Sequence, residues 1–194
     1  MPETVTTTRT TESPASRAPE MAFSHVGLYV TDQERMAAFY TRVLGFTITD
    51  RGPVGDTSLV FLSRDPREHH QIVLASGRPA DTPFNVVNQI SFRVAGLADV
   101  RAMHARLAGE PVSDVQCVSH GNAMSVYFRD PEGNRIEVFC DTPWYVTQPV
   151  RIPFDFSRSD EELMRWAEDA ARRLPGFTPA AEREREMARR MGRA

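Results

Sequence analysis

Asp130-Pro131-Glu132-Gly133-Asn134-Arg135-Ile136-Glu137-Val138-Phe139 is the stretch that decides the fold of this chain. Its first half predicts a tight turn, because Pro131 fixes φ and Gly133 and Asn134 tolerate the positive φ of a chain reversal. Its second half predicts a strand in which Glu137 stands among apolar neighbours. Two interpretations of Glu137 are open. It lies on the wet face of an alternating strand, or it is a buried carboxylate that needs a cation, since an unpaired buried charge is costly.

This turn and strand close the second of two similar modules, each with the order strand, helix and three strands. Apolar positions, and the glycine after the helix, recur at a constant offset of 64 residues. Met36 corresponds to Val100 on the predicted helices, and Gly45 corresponds to Gly109 after them. Because a repeat fixes the architecture, we expect an α+β fold in which two βαβββ modules form a concave mixed sheet, followed by a C-terminal helical arm.

The predicted elements are bounded by Gly, Pro and Asp signals. In the first module (22–76) they are strand Phe23–Val30, a helix capped by Asp32 and ended by Gly45, and strands Phe46–Thr49, Leu59–Leu62 and His70–Ala75. In the second (87–142) they are strand Asn88–Val94, helix Leu97–Leu107, and strands Val112–Val118, Ala123–Phe128 and Arg135–Cys140.

The segments outside the modules differ in composition. Residues 1–20 are rich in Thr, Ser, Pro and Glu and predict a disordered tail. Residues 21–145 form the predicted domain, and residues 146–194 an extended arm with C-terminal helices. Ser159 and Glu162 predict a capping box at the start of the first of these helices.

Composition excludes several classes of partner. The net charge of −3 gives no broad basic surface, so we expect no nucleic acid. No apolar run approaches the roughly 20 residues of a membrane span, and the N-terminus lacks the apolar core of a signal peptide, so we expect no membrane partner. Cys117 and Cys140 are expected to be free thiols in a cytoplasmic protein.

The repeat relates two pairs of positions on the predicted inner strands. His25 corresponds to Gln89, and Val73 corresponds to Glu137. Three of these four side chains can bind a metal through nitrogen or oxygen. We therefore expect His25 and Glu137 to lie close enough to share one ion.

The motif His-Val-Gly-Leu-Tyr-Val at 25–30, together with the quoted stretch, resembles the vicinal oxygen chelate superfamily over residues 22 to 142. This superfamily includes glyoxalases, fosfomycin-resistance proteins and extradiol ring-cleaving dioxygenases. The glyoxalase pattern uses all four positions as ligands, and Val73 cannot bind. The extradiol pattern uses three, and His25, Gln89 and Glu137 match it with Gln89 in place of a histidine. The resemblance implies Fe(II) as the metal, with Mn or Zn as alternatives.

The same resemblance implies roles around the metal. His70, second in the His69-His70 pair, matches the acid–base residue, Tyr127 matches the substrate-side tyrosine, and His120 matches a loop histidine. Alternative, non-catalytic interpretations remain for three of the candidate residues. His25 is otherwise a core histidine, Tyr127 a core aromatic, and Gln89 a contact of substrate or water. His69 is expected at the surface, pointing away from His70.

The function implied is an extradiol-type dioxygenase that cleaves a catecholic aromatic ring with O₂. The alternatives are a glyoxalase-like metal-dependent lyase, isomerase or epimerase, and a non-catalytic small-molecule binding or resistance protein, which Gln89 and Val73 favour. We expect a homodimer, because such modules expose sheet edges that pair between subunits.

Overall fold

The structure is a computed structural model that describes residues 20–82 and 84–193. The predicted disordered tail therefore lies outside the described residues, apart from Glu20. The described part confirms the α+β fold with two βαβββ modules and a C-terminal helical arm.

The first module forms a four-stranded sheet covered by one helix. Its elements are β1 (Val26–Val30), α1 (Gln33–Arg42), β2 (Thr47–Val54), β3 (Thr57–Ser63) and β4 (Ile72–Ser76), in the sheet order β1-β4-β3-β2. Strand β1 is parallel to β4, and the other pairs are antiparallel. Asp32 caps α1 by accepting from the Arg35 amide at 3.0 Å, and Gly45 ends the helical segment with φ of +71°.

The second module repeats this plan and gains one strand from the arm. Its elements are β5 (Ile90–Arg93), α2 (Leu97–Arg106), β6 (Ser113–Ser119), β7 (Ala123–Arg129) and β8 (Arg135–Asp141). The sheet order is β10-β6-β7-β8-β5, in which β10 (Ile152–Pro153) belongs to the arm. Strand β5 is parallel to β8, as β1 is to β4.

Several predicted strand ends were wrong, and three of these corrections, at β1, β4 and β5, bear on the site. Strands β1 and β4 begin at Val26 and Ile72, because their ladder begins with that pair. His25 and His70 therefore stand just before strands rather than inside them. Strand β2 runs on to Val54, because its hairpin with β3 supplies partners on both sides of the turn at Gly55. Strand β5 begins at Ile90, so Gln89 also precedes its strand.

The arm folds back on the second module. It contains α3 (Asp160–Ala171), α4 (Ala180–Arg190), and a short ladder between β9 (Trp144–Tyr145) and β11 (Thr178–Pro179). The predicted capping box at Ser159 and Glu162 is confirmed. Helix α3 buries Leu163, Ala167 and Ala171, whereas α4 has no buried residue.

The turn of the quoted stretch joins the two modules. The Glu132 carboxylate accepts from the amides of Thr31 and Asp32, both at 2.8 Å, where α1 begins. The buried Tyr40 hydroxyl on α1 donates to Asp130 at 3.3 Å. Apolar side chains of both modules share one core. Hydrogen bonding within the described residues nevertheless keeps the modules as two sheets, with β1 and β5 as terminal strands.

Among the helices of the described residues, none has the length and apolar character needed to cross a bilayer.

Candidate functional site

The carboxylate of Glu137 is the best-connected buried polar group on the second sheet. Its residue is only 6% exposed. The carboxylate accepts from the Ser91 hydroxyl at 2.6 Å, the Ser125 hydroxyl at 2.8 Å and the Gln89 amide nitrogen at 2.9 Å. The buried interpretation of Glu137 is therefore confirmed. Three uncharged donors thus meet the charge of this carboxylate, and its role as a metal ligand stays a prediction.

Strand geometry explains why these side chains meet. Ser91 on β5 lies opposite Glu137 on β8, and Tyr127 on β7 lies opposite Glu137 from the other side. Gln89 stands just before β5, and its amide nitrogen also donates to the Ser91 hydroxyl at 3.0 Å, which places it beside the same carboxylate. We call Gln89, Ser91, His120, Ser125, Tyr127 and Glu137 the Glu137 cluster.

A histidine–tyrosine pair borders the carboxylate. His120 Nε2 lies 2.9 Å from the Tyr127 hydroxyl and 3.8 Å from a Glu137 oxygen. His120 Nδ1 lies 2.7 Å from the Val150 carbonyl, which can only accept, so Nδ1 carries the proton. In neutral His120, Nε2 therefore accepts from the Tyr127 hydroxyl. Burial, and next hydrogen bonding to Glu137 and then its charge, raise the pKa of Tyr127, so it remains a phenol at neutral pH.

The other candidate residues form a second group on the first module, the histidine cluster of His25, His69 and His70 beside Phe61. The rings of His25 and His70 are 4.3 Å apart, and the Nδ1 atoms of His69 and His70 are 2.8 Å apart. The expectation that His69 points away from His70 was wrong, because both precede β4 and strand alternation does not apply to them. Burial and the neighbouring His25 and His69 lower the pKa of His70, which favours its neutral form.

The structure brings Gln89, His120, Tyr127 and Glu137 together, and separately His25 with His70. No hydrogen bond, ion pair or ring contact among the described residues joins the two clusters. No three His, Cys, Asp or Glu side chains in residues 20–82 and 84–193 are grouped as metal ligands. The predicted ligands His25, Gln89 and Glu137 would not form such a group, because only His25 and Glu137 are of these residue types.

Three residues of this region were missed by the sequence analysis. Ser91 and Ser125 donate to Glu137, and Arg135 packs over the Tyr127 ring at 4.4 Å. Alternation along β5 and β8 could have placed Ser91 and Arg135 on the face of Glu137. Alternation along β7 likewise places Ser125 on the face of Tyr127, but its contact with Glu137 depends on the pairing of β7 with β8.

A cleft of about 1060 Å³ lies between the modules, away from most of these residues. Its apolar lining includes Val26, Phe46, Ile90, Phe92 and Met103. Of the six predicted site residues, only Gln89 lines it. Within residues 20–82 and 84–193, this cleft therefore does not join the two clusters.

Two curated relatives from Rhodococcus globerulus are similar to this chain. Biphenyl-2,3-diol 1,2-dioxygenase 3 is 29% identical over 123 residues, which are 61% of this chain and 62% of that enzyme. Biphenyl-2,3-diol 1,2-dioxygenase 2 is 26% identical over 150 residues, which are 69% of this chain and 76% of that enzyme. The chain thus spans less than two thirds of the length of the first of them.

Solved structures match the fold. A glyoxylase/bleomycin resistance protein/dioxygenase domain from Frankia sp. EAN1pec superposes with a TM-score of 0.56 at 23% identity, over 64% of this chain and 94% of that one. A fosfomycin resistance protein from Listeria monocytogenes superposes with a TM-score of 0.51 at 17% identity, over the same shares of the two chains. At these identities the likeness concerns the fold alone.

A family model also matches this chain. The model of the Glyoxalase/Bleomycin resistance protein/Dioxygenase superfamily matches residues 22–138, which include both modules up to the middle of β8. The strand order and the repeat of βαβββ modules agree with this match. The chain therefore belongs to the Glyoxalase/Bleomycin resistance protein/Dioxygenase superfamily.

Proposed function

We propose that the protein is an extradiol-type dioxygenase that cleaves a catecholic ring with O₂ at a divalent metal. The observation that carries the proposal is the convergence of Gln89, His120 and Tyr127 on the buried carboxylate of Glu137. These are the four second-module residues that the resemblance to extradiol enzymes selects. The names of the two Rhodococcus relatives support the same reaction class.

The donor groups fit a divalent ion. The Gln89 carboxamide touches Glu137 through its nitrogen, and a half-turn of its terminal torsion would present the oxygen instead. Glu137, Gln89 and an exposed His25 would then offer carboxylate oxygen, amide oxygen and imidazole nitrogen, a set suited to Fe(II), Mn or Zn. When bound, such an ion would act as a Lewis acid toward a chelating diol and leave open positions for O₂.

The protein groups around this donor set can bind and move protons. The Tyr127 phenol and the Nε2 atom of His120 form a hydrogen-bonded pair that can contact a substrate oxygen. His70, whose lowered pKa favours the neutral imidazole, can accept a proton from a diol hydroxyl.

We further propose that a second copy of the chain completes the site. Strands β1 and β5 are terminal strands, each with one side free of partners among the described residues. Tyr29, on the His25 side of β1, is 65% exposed, and His25 itself is exposed. In a homodimer that pairs β1 of one copy with β5 of the other, the histidine cluster of one chain would face the Glu137 cluster of its partner.

Oxygen uptake and metal content test the reaction class. Protein prepared anaerobically and without chelators would be assayed by elemental analysis and then for O₂ uptake against a panel of catechols. The expected result is about one metal per site and O₂ consumption that matches the loss of the catechol. Retained metal without O₂ uptake would instead indicate a lyase, isomerase or epimerase.

A non-catalytic binding protein is the second candidate, and one observation favours it. The Glu137 carboxylate already accepts three hydrogen bonds from uncharged donors, so the fold does not need an ion to bury it. Protein that binds catechols yet retains no metal, even when iron is added anaerobically, would support this candidate over the dioxygenase.

A further inference from the structure

We infer that the ligand of the Glu137 cluster carries an anionic group, a carboxylate, which binds against Arg135. Arg135 lies two residues before Glu137 on β8, and therefore on the same face of the second sheet. Its guanidinium packs over the Tyr127 ring at 4.4 Å from the ring centre. Arg135 thus stands next to the residue that is proposed to contact a substrate oxygen.

Among the described residues, the Arg135 guanidinium has no hydrogen-bond acceptor or ion-pair partner. Its Nε atom is buried and has no hydrogen-bond acceptor. Among the described residues, no carboxylate lies within ion-pair distance of its guanidinium, and the nearby Glu137 already accepts from three neutral donors. A buried donor without an acceptor is costly, and native structures explain such groups by water, an ion or a ligand.

The neighbouring Arg129, on the same face, makes its polar contacts within the chain. Arg129 lies directly opposite Arg135 in the β7–β8 ladder. Its Nε is 3.4 Å from Asp114, and one of its terminal nitrogens donates to the Gly133 carbonyl at 3.0 Å. Arg129 therefore needs no external anion, whereas Arg135 does.

A second cation from the arm reinforces the positive charge. The Arg151 guanidinium lies 6.0 Å from the centre of the same Tyr127 ring. It hydrogen-bonds the neutral amide of Gln116, and among the described residues it forms no ion pair. Two guanidinium groups beside one aromatic ring favour a planar anion, which a guanidinium binds through paired hydrogen bonds.

The chemical class that fits is an aromatic ring with a carboxylate substituent. The carboxylate would lie against Arg135, with Arg151 nearby, and the ring would lie toward Tyr127. That the ring also carries two hydroxyl groups rests on the proposed function. The Rhodococcus relatives are named for biphenyl-2,3-diol, which has no carboxylate, so the inference separates this chain from them in substrate charge.

The test compares charged and neutral versions of one ligand. Anaerobic calorimetric titrations of the full chain would use 3,4-dihydroxyphenylacetate and 2,3-dihydroxybenzoate, each against its neutral amide. For at least one pair we expect the acid to bind about ten-fold more tightly or better, as hydrogen bonds to charged groups are the stronger ones. The preference should shrink as salt is added.

Variants test whether Arg135 causes the preference for the acid over its amide. Arg135→Met should reduce it to less than about two-fold, and Arg135→Lys should retain part of it, because the charge remains without the planar fork. Arg129→Met is the matched control and should keep the full preference. Wild-type protein without preference for either acid, or an Arg135→Met variant that keeps it, would overturn the inference. Since binding is measured without turnover, a clear acid preference with no O₂ uptake would remove the dioxygenase proposal and leave this inference standing.

Discussion

At the scale of single residues, Glu137 shows how a buried charge is held. It is buried on β8, which lies between β5 and β7. Burial is tolerated because Ser91, Ser125 and Gln89 supply uncharged hydrogen bonds. Gln89 is the position at which the chain departs from the extradiol pattern. In the proposed dioxygenase, its role as a metal ligand or as a partner of the carboxylate would determine how strongly the site binds iron.

Gln89→His should raise the affinity for Fe(II) if Gln89 is a ligand, because an imidazole nitrogen is a better donor to Fe(II) than an amide oxygen. An iron titration of both proteins, anaerobic and at matched pH, measures the difference, since protons compete for the ligands. His69→Ala, in the other cluster, is the control and should change little. Unchanged or weaker iron binding by the Gln89 variant would remove this residue from the ligand set.

The two thiols are expected to be unreactive. Both cysteines are free, and burial raises the pKa of the Cys117 and Cys140 thiols to about 11. Because the thiolate is the nucleophile, iodoacetamide at pH 7.5 should label the folded protein roughly a hundred-fold more slowly than free cysteine. Mass spectrometry follows the reaction, and protein unfolded in urea is the control. A thiol that reacts in the folded protein at the rate of free cysteine would contradict this expectation.

At the scale of secondary-structure elements, the C-terminal arm positions a side chain of the candidate site. Strand β10 extends the second sheet beyond β6, and the Val150 carbonyl before it holds the Nδ1 proton of His120. Gln148 connects this part of the arm to His120 by hydrogen bonds. It donates to the His120 carbonyl at 2.7 Å and accepts from the Val150 amide at 3.1 Å. The arm thereby sets which nitrogen of His120 faces Tyr127.

Gln148→Ala should therefore release His120 and reduce stability by about 1–2 kcal/mol, the value of one or two exposed hydrogen bonds. The ¹⁵N shifts of the His120 ring should change from a single Nδ1–H tautomer to a mixture. Ser159→Ala is the control on the same arm. It should cost about 1 kcal/mol through loss of the helix cap and leave the His120 shifts unaltered. Identical His120 spectra in wild type and the Gln148 variant would show that the arm does not fix the tautomer.

At the scale of the whole molecule, the two clusters lie on different modules whose terminal strands β1 and β5 are not paired with each other. The turn at Asp130–Glu132 and the shared core fix the modules to each other within one chain. A second copy is the proposed means of bringing His25 to Glu137.

Mixing two defective variants tests this arrangement. His25→Ala and Glu137→Ala should each lose bound metal. If sites are shared, a mixed dimer contains one intact site, with His25 from one chain and Glu137 from the other, so unfolding and refolding the two variants together should restore metal to about a quarter of wild-type sites. Elemental analysis after removal of loose metal measures the recovery. No recovery in a refolded mixture that does form dimers would mean that each site is built within one chain.

The sequence by itself determined the architecture, but it left open whether Glu137 is buried or exposed. The 64-residue repeat, the Asp32 cap, the Ser159 capping box and the turn before β8 are local signals, and local signals depend on neighbours along the chain. The repeat also selected Gln89 and Glu137, and the resemblance to extradiol enzymes selected His120 and Tyr127; these four side chains converge in the structure.

Only the tertiary structure decided what surrounds Glu137 and where His25 lies. The ends of β1 and β4 depend on the ladder between strands far apart in sequence, and that ladder leaves His25 and His70 outside both strands. The hydroxyl of Ser125 and the unpartnered Arg135 likewise become meaningful only once β7 pairs with β8 and packs Arg135 against Tyr127. Strand alternation assigns a face to a side chain, but the partners that side chain finds depend on contacts between segments that the sequence does not place next to each other.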